Sequence, residues 1–424
     1  MQPFMRGVAL PFQKGAAADK PIQVLSPTQA VRIPLIHKTD DEQPYPEILS
    51  RENAVFAAGQ ILYSENEEDT PVLSSVSGTL SGAVALSHPL YGEMLCAEIT
   101  PDGGEPARLP YQREKEPEAE EIIAVARQAA IYDELDGMPL WEKLAAWQLP
   151  PDDAAAVSSV LVADATENDV YGSAAWAVLQ EEPEAALAGL QYAAKALRFT
   201  RYHIATLLPK AKRRALKHAI GRINVFTVED EYPVTVFADG QAEVFRIGIQ
   251  ACLALAKALQ EGIPACSVVV TVAGDGVPVS RNLRVPYGTD ISEILAICHA
   301  DEDVTLVLGD AMTGAVCPTT RLPLLPGVTT LLALRPRKLT TAKPCIGCGR
   351  CAAACHAQLL PYEIVRRLEN MHYERLQHLA PWECDGCGVC SYVCPSQRPV
   401  AAEVLRAGET DGTMFLSWGD EEIE

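Results

Sequence analysis

The sequence predicts a multidomain protein that combines α/β and α+β architecture and carries a small cysteine-rich helical unit near its end. Three observations carry this. The 424 residues are about three times the ~150 expected per domain, which predicts two to four domains. The apolar pattern changes along the chain, from short strand-length runs to alternating helices and strands and back. Eight of the thirteen cysteines fall between Cys345 and Cys394, leaving Cys96, Cys252, Cys266, Cys298 and Cys317 scattered.

Composition narrows the function. A hydrophobic content of 48% with 21% charged residues is that of a folded globular chain. The 56 acidic against 35 basic residues give a net charge of −21, which excludes binding through the nucleic-acid phosphate backbone. No apolar run reaches the ~18 residues of a spanning helix. The opening MQPFMRGVALPFQKG has too short an apolar stretch for a signal peptide. The chain is therefore expected in the cytoplasm, or peripheral on the cytoplasmic face of a membrane through partner subunits. A disulfide framework of thirteen cysteines is out of place there, so the clustering reads as metal ligation.

Residues 1–105 alternate runs such as VRIPLIH, AVFAAGQILYS and EMLCAEITPDG with Gly, Pro and Ser turns, which predicts a β-rich unit. PARLPYQREKEPEAEE at 106–121 reads as a linker entering a helix. From 119 to 262 helices alternate with strands, predicting an α/β layer domain. The helices are AEEIIAVARQAA, PEAALAGLQYAAKAL (with proline in its first turn) and 209–220; the strands are SSVLVADAT, TRYHIATLL and INVFTV. Residues 264–336 return to strands, CSVVVTVAG, NLRVPYG and VTLVLG, with a short helix DISEILAIC, a compact α+β unit. Residues 337–400 hold the cysteines, and 401–424 end in an acidic tail, GDEEIE, expected to be solvated.

Cys345, Cys348, Cys351 and Cys355 have the spacing C-x2-C-x2-C-x3-C, and Cys384, Cys387, Cys390 and Cys394 repeat it, with Pro395 following. Three thiolates two residues apart wrap one cubane cluster, and the fourth reaches the other cluster in two-cluster ferredoxins. The spacing thus assigns Cys345, Cys348, Cys351 and Cys394 to one [4Fe–4S] cluster. Cys384, Cys387, Cys390 and Cys355 go to the second. Structural zinc pairs show separated C-x2-C arms instead. Gly347, Gly349, Gly386 and Gly388 allow backbone N–H groups to turn toward cluster sulfurs. His356 stands where a proline would follow Cys355 and is not needed as a ligand. YEIVRRLENMHYERLQHL, between the two runs, reads as a helical hairpin or one long helix with His372 and His378 on a solvated face. The five scattered cysteines read as buried apolar thiols.

The chain as a whole resembles the C subunit of the Rnf ferredoxin:NAD oxidoreductase. RGVALPFQKGAAADKPIQVLSPTQAVRIPL, SSVSGTLSG, VVVTVAGDGVPVSRNLRVPYGTDISEIL, LVLGDAMTG and HLAPWECDGCGVCSYVCPSQRPV carry the likeness over nearly its full length. The resemblance implies an N-terminal β barrel-sandwich-like unit and an α/β core similar to the flavin-binding subunit of respiratory complex I. It also implies a soluble-ligand-binding (SLBB-like) β-grasp unit and an α-helical dicluster ferredoxin domain. In that family the core binds FMN and NADH.

Three loops depart from the family together. The flavin loop G-x-x-G-x-G-G-A-x-F-P-T is here Ala130-Ile131-Tyr132-Asp133-Glu134-Leu135-Asp136-Gly137-Met138-Pro139-Leu140-Trp141. Asp133, Glu134 and Asp136 put about three negative charges where backbone N–H groups would meet phosphate. N-G-A-E-x-E-P becomes Ala163-Asp164-Ala165-Thr166-Glu167-Asn168-Asp169, and Y-P-Q-G-G-E survives only as Tyr232-Pro233. The departures predict that the FMN and NADH pocket is lost or rebuilt. No lysine at an exposed hairpin tip suggests lipoylation, and Gly274, Gly276 and Gly288 read as turn glycines.

The expected function is electron relay through two [4Fe–4S] clusters between redox proteins: ferredoxin- or flavodoxin-like carriers, or other Rnf-type subunits. An NADH:acceptor oxidoreductase with a modified FMN site, and a scaffold with structural clusters, stand as alternatives. Lys210, Lys212, Arg213, Arg214, Lys217 and Arg222 form a basic cluster, either a solvated helix face or a dock for an acidic partner.

Overall fold

Val160–Ala165 reads VLVADA and is buried at all six positions, the pattern of a parallel strand covered on both faces. The structure is a computed structural model. It describes residues 7–14, 17–37, 53–64, 66, 68–109, 116–150, 159–167, 169–220, 225–226, 232–233, 243–338, 341–372 and 376–409. Val160–Ala165 lies in a four-stranded, all-parallel sheet ordered Val225–Phe226, Tyr202–Thr206, Val160–Ala165, Val244–Gly248. Helices Ala119–Gln128, Leu140–Trp147, Ala174–Glu181, Pro183–Leu197, Lys210–Ala219 and Ile249–Glu261 belong to this layer domain.

The longest of these starts with proline at its first turn and stops at Arg198 in the left-handed region, as helix ends favour. It packs on Ile249–Glu261 so closely that a Cβ on Gly189 would sit 1.7 Å from the Cys252 carbonyl oxygen. Only glycine allows that approach. The sheet's order reverses between Val160–Ala165 and Val244–Gly248, so a crevice opens beyond their carboxyl ends, where ligands of such sheets bind.

The N-terminal unit holds a four-stranded antiparallel sheet, Val31–His37, Gly92–Pro101, Gly78–His88 and Val55–Phe56, and a two-stranded pair, Ile61–Tyr63 with Val72–Leu73. Val31, Ile33, Leu35, Phe56, Leu80 and Ile99 are part of its core. Its expected extent changes at the start. Gln23–Val24 pairs in parallel with Leu283 and Arg284, at the edge of the third sheet. Further back, Val8 bridges to Tyr232. The first part of the chain thus ties the units together instead of opening the β unit.

The third sheet is mixed: Gln23–Val24, Arg281–Pro286, Ser267–Ala273, Thr330–Leu334, Thr305–Leu308 and Ala315–Cys317. Helix Ile291–Ile297 packs its Ile291, Ile294 and Leu295 into the same apolar core. It begins at Asp290, whose carboxylate accepts the Ser292 N–H at 2.9 Å, a standard N-cap.

The cysteine-rich unit carries helices Arg350–Ala354, Pro361–Glu369, Val389–Tyr392 and Val400–Glu409. Two expectations change here. Among the described residues, the stretch after Cys355 forms a nine-residue helix, ended by Asn370 and by Met371 at φ 55°, and then a short 3-10 turn at Gln377–Leu379, in place of one long helix. Residues 400–409, expected to lead a solvated tail, form a helix that buries Val404 and Ala407 beside Ile364. GDEEIE, Arg222 and Asn168 lie outside the described residues, as do positions 110–115 of the linker and 234–242 after Tyr232-Pro233. Of the scattered cysteines, Cys96, Cys252, Cys298 and Cys317 are buried, and burial pushes the thiols of Cys96 and Cys266 up to about 12. His372 and His378 are exposed.

Candidate electron-transfer site and the crevice beside it

Each cysteine run turns on two glycines. Gly347, Gly349, Gly386 and Gly388 have φ of 66°, 71°, 73° and 79°, left-handed values that side chains resist. Gly349 and Gly388 each open a short helix, Arg350–Ala354 and Val389–Tyr392, so the two runs share one local fold. The Gly347 N–H points at Cys345 Sγ, 3.5 Å away. At the matching place in the second run, the Gly386 backbone N–H likewise bonds the Cys384 thiol, and one residue on the Cys387 N–H donates to Asp385 at 3.2 Å.

Cys345, Cys348, Cys351 and Cys394 line a single cavity of about 730 Å³ with Pro344, Ile346 and Val365. The fourth cysteine of the second run therefore joins the first three of the first run. Cys355 is close enough to Cys384 that its charge helps raise the Cys384 thiol, after burial and Asp385. Cys390 is pushed up to about 12, first by burial, then by Cys384 and Cys387. Thiols crowded this way keep their protons without a metal and release them on binding one. Two sets of four sulfurs on glycine turns fit two [4Fe–4S] clusters.

The two sets face different ways. Cys345 and Cys348 are exposed, with Ile346 between them 70% exposed. Cys387 instead packs with Val389, Ala354, Met312 and Tyr232. A Cβ on Gly388 would meet the Met312 carbonyl oxygen at 2.6 Å, so the second run is pressed onto the body of the protein. Asp385 joins the runs: its carboxylate lies 2.7 Å from His356 Nε2, which holds Asp385 below the usual carboxylate range and raises His356. Asp385, next to a ligand position, was missed in sequence because an aspartate between cysteines has no pattern of its own.

The crevice of the parallel sheet lies behind Tyr232. It encloses about 300 Å³ and is lined by Glu134, Asp164, Glu167, Asp169 and Asp310, with Arg246 as the one cation on its lining among the described residues. Asp164 is ion-paired to Arg246 and accepts the Thr166 N–H at 2.9 Å. Asp310 accepts the Gly172 N–H at 2.8 Å. Burial raises Glu167 to about 7 and Asp169 to about 6.

The altered loop has a definite job. Glu134 accepts the N–H groups of Gln250 at 2.6 Å and Ala251 at 2.9 Å, in the first turn of helix Ile249–Glu261. These are donors a helix otherwise offers to an anion. Desolvation and neighbouring Asp133 raise Glu134 to about 8. Asp133 is fully buried; it accepts the Gly248 N–H at 2.9 Å and pairs with Lys143 at 2.6 Å, which also reaches Asp136 at 2.5 Å. A carboxylate of the chain thus fills the helix terminus, and Lys143 is held by carboxylates. The backbone donors that a phosphate would use at this helix terminus are thus already taken by Glu134.

Comparisons with known proteins agree with the cysteine geometry. Residues 344–398 match the family model "4Fe-4S dicluster domain". The chain is 25% identical over 391 residues to the C subunit of the proton-translocating ferredoxin:NAD(+) oxidoreductase complex of Clostridium ljungdahlii, covering 85% of this chain and 83% of that one. It is 23% identical over 405 residues to the Na(+)-translocating counterpart of Acetobacterium woodii, covering 88% and 89%. Among solved structures, an NAD+-reducing [NiFe]-hydrogenase in the air-oxidised state is similar at 15% identity and a TM-score of 0.45, over 68% of this chain and 61% of that one. Through most of its length, and with a 4Fe-4S dicluster domain near its end, the chain is a homologue of the C subunits of ion-translocating, Rnf-type ferredoxin:NAD(+) oxidoreductases.

Proposed function

We propose that the chain is an electron-transfer subunit that relays single electrons between redox partner proteins. The observation that carries this is the crossed arrangement of cysteines, with Cys394 lining the cavity of Cys345, Cys348 and Cys351. In this reading those four residues hold one [4Fe–4S] cluster and Cys384, Cys387, Cys390 and Cys355 hold the other. The clusters, when bound, supply reversible one-electron chemistry. The chain's own residues fix the sulfurs on glycine turns, seal one set against Met312 and Tyr232, and leave the other at the surface.

The partners in this reading are other Rnf-type subunits or ferredoxin- and flavodoxin-like carriers, on the cytoplasmic side. Among the described residues no helix is long and apolar enough to cross a membrane, so membrane contact runs through those subunits. The N-terminal β unit and the 264–336 unit correspond to the family's barrel-sandwich-like and SLBB-like β-grasp parts. FMN and NADH are not part of the function, because Glu134 occupies the helix terminus and carboxylates dominate the crevice. Iron analysis with redox titration tests the proposal. About eight irons per chain and reversible bleaching by dithionite support it, and bound zinc contradicts it.

A further inference from the structure

The charge around the outward cysteines opposes that of the whole molecule. The protein carries −21, yet residues 311–362 contain Arg321, Arg335, Arg337, Lys338, Lys343 and Arg350 and no Asp or Glu. Arg335 and Arg337 are ion-paired to Asp301 and Asp275. Lys343 and Arg350 are exposed, and no ion pair to them is seen among the described residues. Both border the Cys345–Cys394 cavity, beside the exposed Ile346. The other acidic and basic residues on that cavity largely balance: Arg366 pairs with Glu363, and Arg398 with Glu369 and Glu403.

We propose that Lys343, Arg350 and Ile346 form the docking face for an acidic one-electron carrier protein. The inference rests on the relay reading above and locates one of its two ends. The bulk of the chain repels an acidic carrier, so an unpaired basic rim admits it in one orientation. That orientation places it over the exposed Cys345 and Cys348, while Ile346 provides apolar contact at the centre. Each productive encounter moves one electron between carrier and chain, oxidising one and reducing the other, with no bond made or broken. The other basic surface, helix Lys210–Ala219, carries no cluster cysteine, and its Lys212 is paired with Asp19. It is not the electron-exchange face.

The test uses the full, iron-loaded chain and an acidic flavodoxin, reduced, as the probe. Stopped flow follows cluster bleaching, and calorimetry follows binding of the oxidised flavodoxin. Steered encounters reach ~10⁸ M⁻¹s⁻¹ at low salt against ~10⁵–10⁶ for neutral ones, so the wild-type rate should fall with ionic strength. K343E/R350E should cut the low-salt rate and the affinity at least about tenfold, and K343Q/R350Q should fall between. K210E/K217E should match the wild type. Equal rates and affinities for all variants, or a loss confined to K210E/K217E, would overturn the docking face. Failure of dithionite to bleach the wild-type chain would instead sink the relay reading.

Discussion

The Glu134 carboxylate accepts the Gln250 backbone N–H at 2.6 Å, across 116 residues of sequence, and so places an acid of the chain where a helix terminus would otherwise receive an anion. With Asp133 holding Gly248 and Lys143, the chain's own acids take up this end of the crevice of the α/β core.

Flavin content follows directly. Acid release from the purified chain should yield no stoichiometric FMN, and NADH alone should not bleach its absorbance. FMN at about one per chain, the count of a resident cofactor, would contradict the account of Glu134.

The acids of the crevice set a pH dependence. Glu134, Glu167 and Asp169 are raised to about 8, 7 and 6. In the folded state each keeps its proton at pH values where the unfolded chain has released it. Folding stability therefore falls as pH rises from the unfolded carboxylate range toward 8. Glu134→Gln removes one titration, so its melting temperature should vary less between about pH 5 and 8. Scanning calorimetry at fixed ionic strength measures this, and a slope equal to the wild type's would count against it.

Packing at Gly189 gives a fold-level expectation. A methyl there meets the Cys252 carbonyl oxygen at 1.7 Å, so Gly189→Ala must separate two helices or shift their register. A loss of about 1–3 kcal/mol in urea unfolding is expected. An unchanged midpoint would mean the helices pack less closely than described.

Crossed ligation predicts which substitution damages which cluster. Cys394→Ala should disturb the cluster of Cys345, Cys348 and Cys351, and Cys355→Ala that of Cys384, Cys387 and Cys390. Each variant should lose up to about four irons or convert one centre to a three-iron form, and the two should leave different paramagnetic signals. Damage to the Cys384, Cys387 and Cys390 cluster in Cys394→Ala, and to the other in Cys355→Ala, would show the assignment to be uncrossed.

Much of this was readable in the chain. VLVADA announced a buried parallel strand, PEAALAGLQYAAKAL a proline-started helix, and the doubled cysteine spacing a two-cluster unit, because each is governed by neighbours in sequence. The negative loop was visible as a departure, but not the use of Glu134 as a cap, since the helix it serves begins at Ile249. Gln23–Val24 escaped notice because a two-residue edge strand has no periodicity; its place is set by Leu283 and Arg284. The helix after Cys355 was overestimated because its polar face continues in sequence past Met371, whose left-handed backbone ends it. Orientation of the two cysteine sets, one outward and one against Met312 and Tyr232, is a tertiary fact with no local signal.

The most direct measurement is a reductive titration of the anaerobically purified chain with iron quantified on the same sample. The account predicts about eight irons and two one-electron reductions per chain, both reversible. A chain that holds zinc at these cysteines, or iron that takes up no electrons, would contradict it.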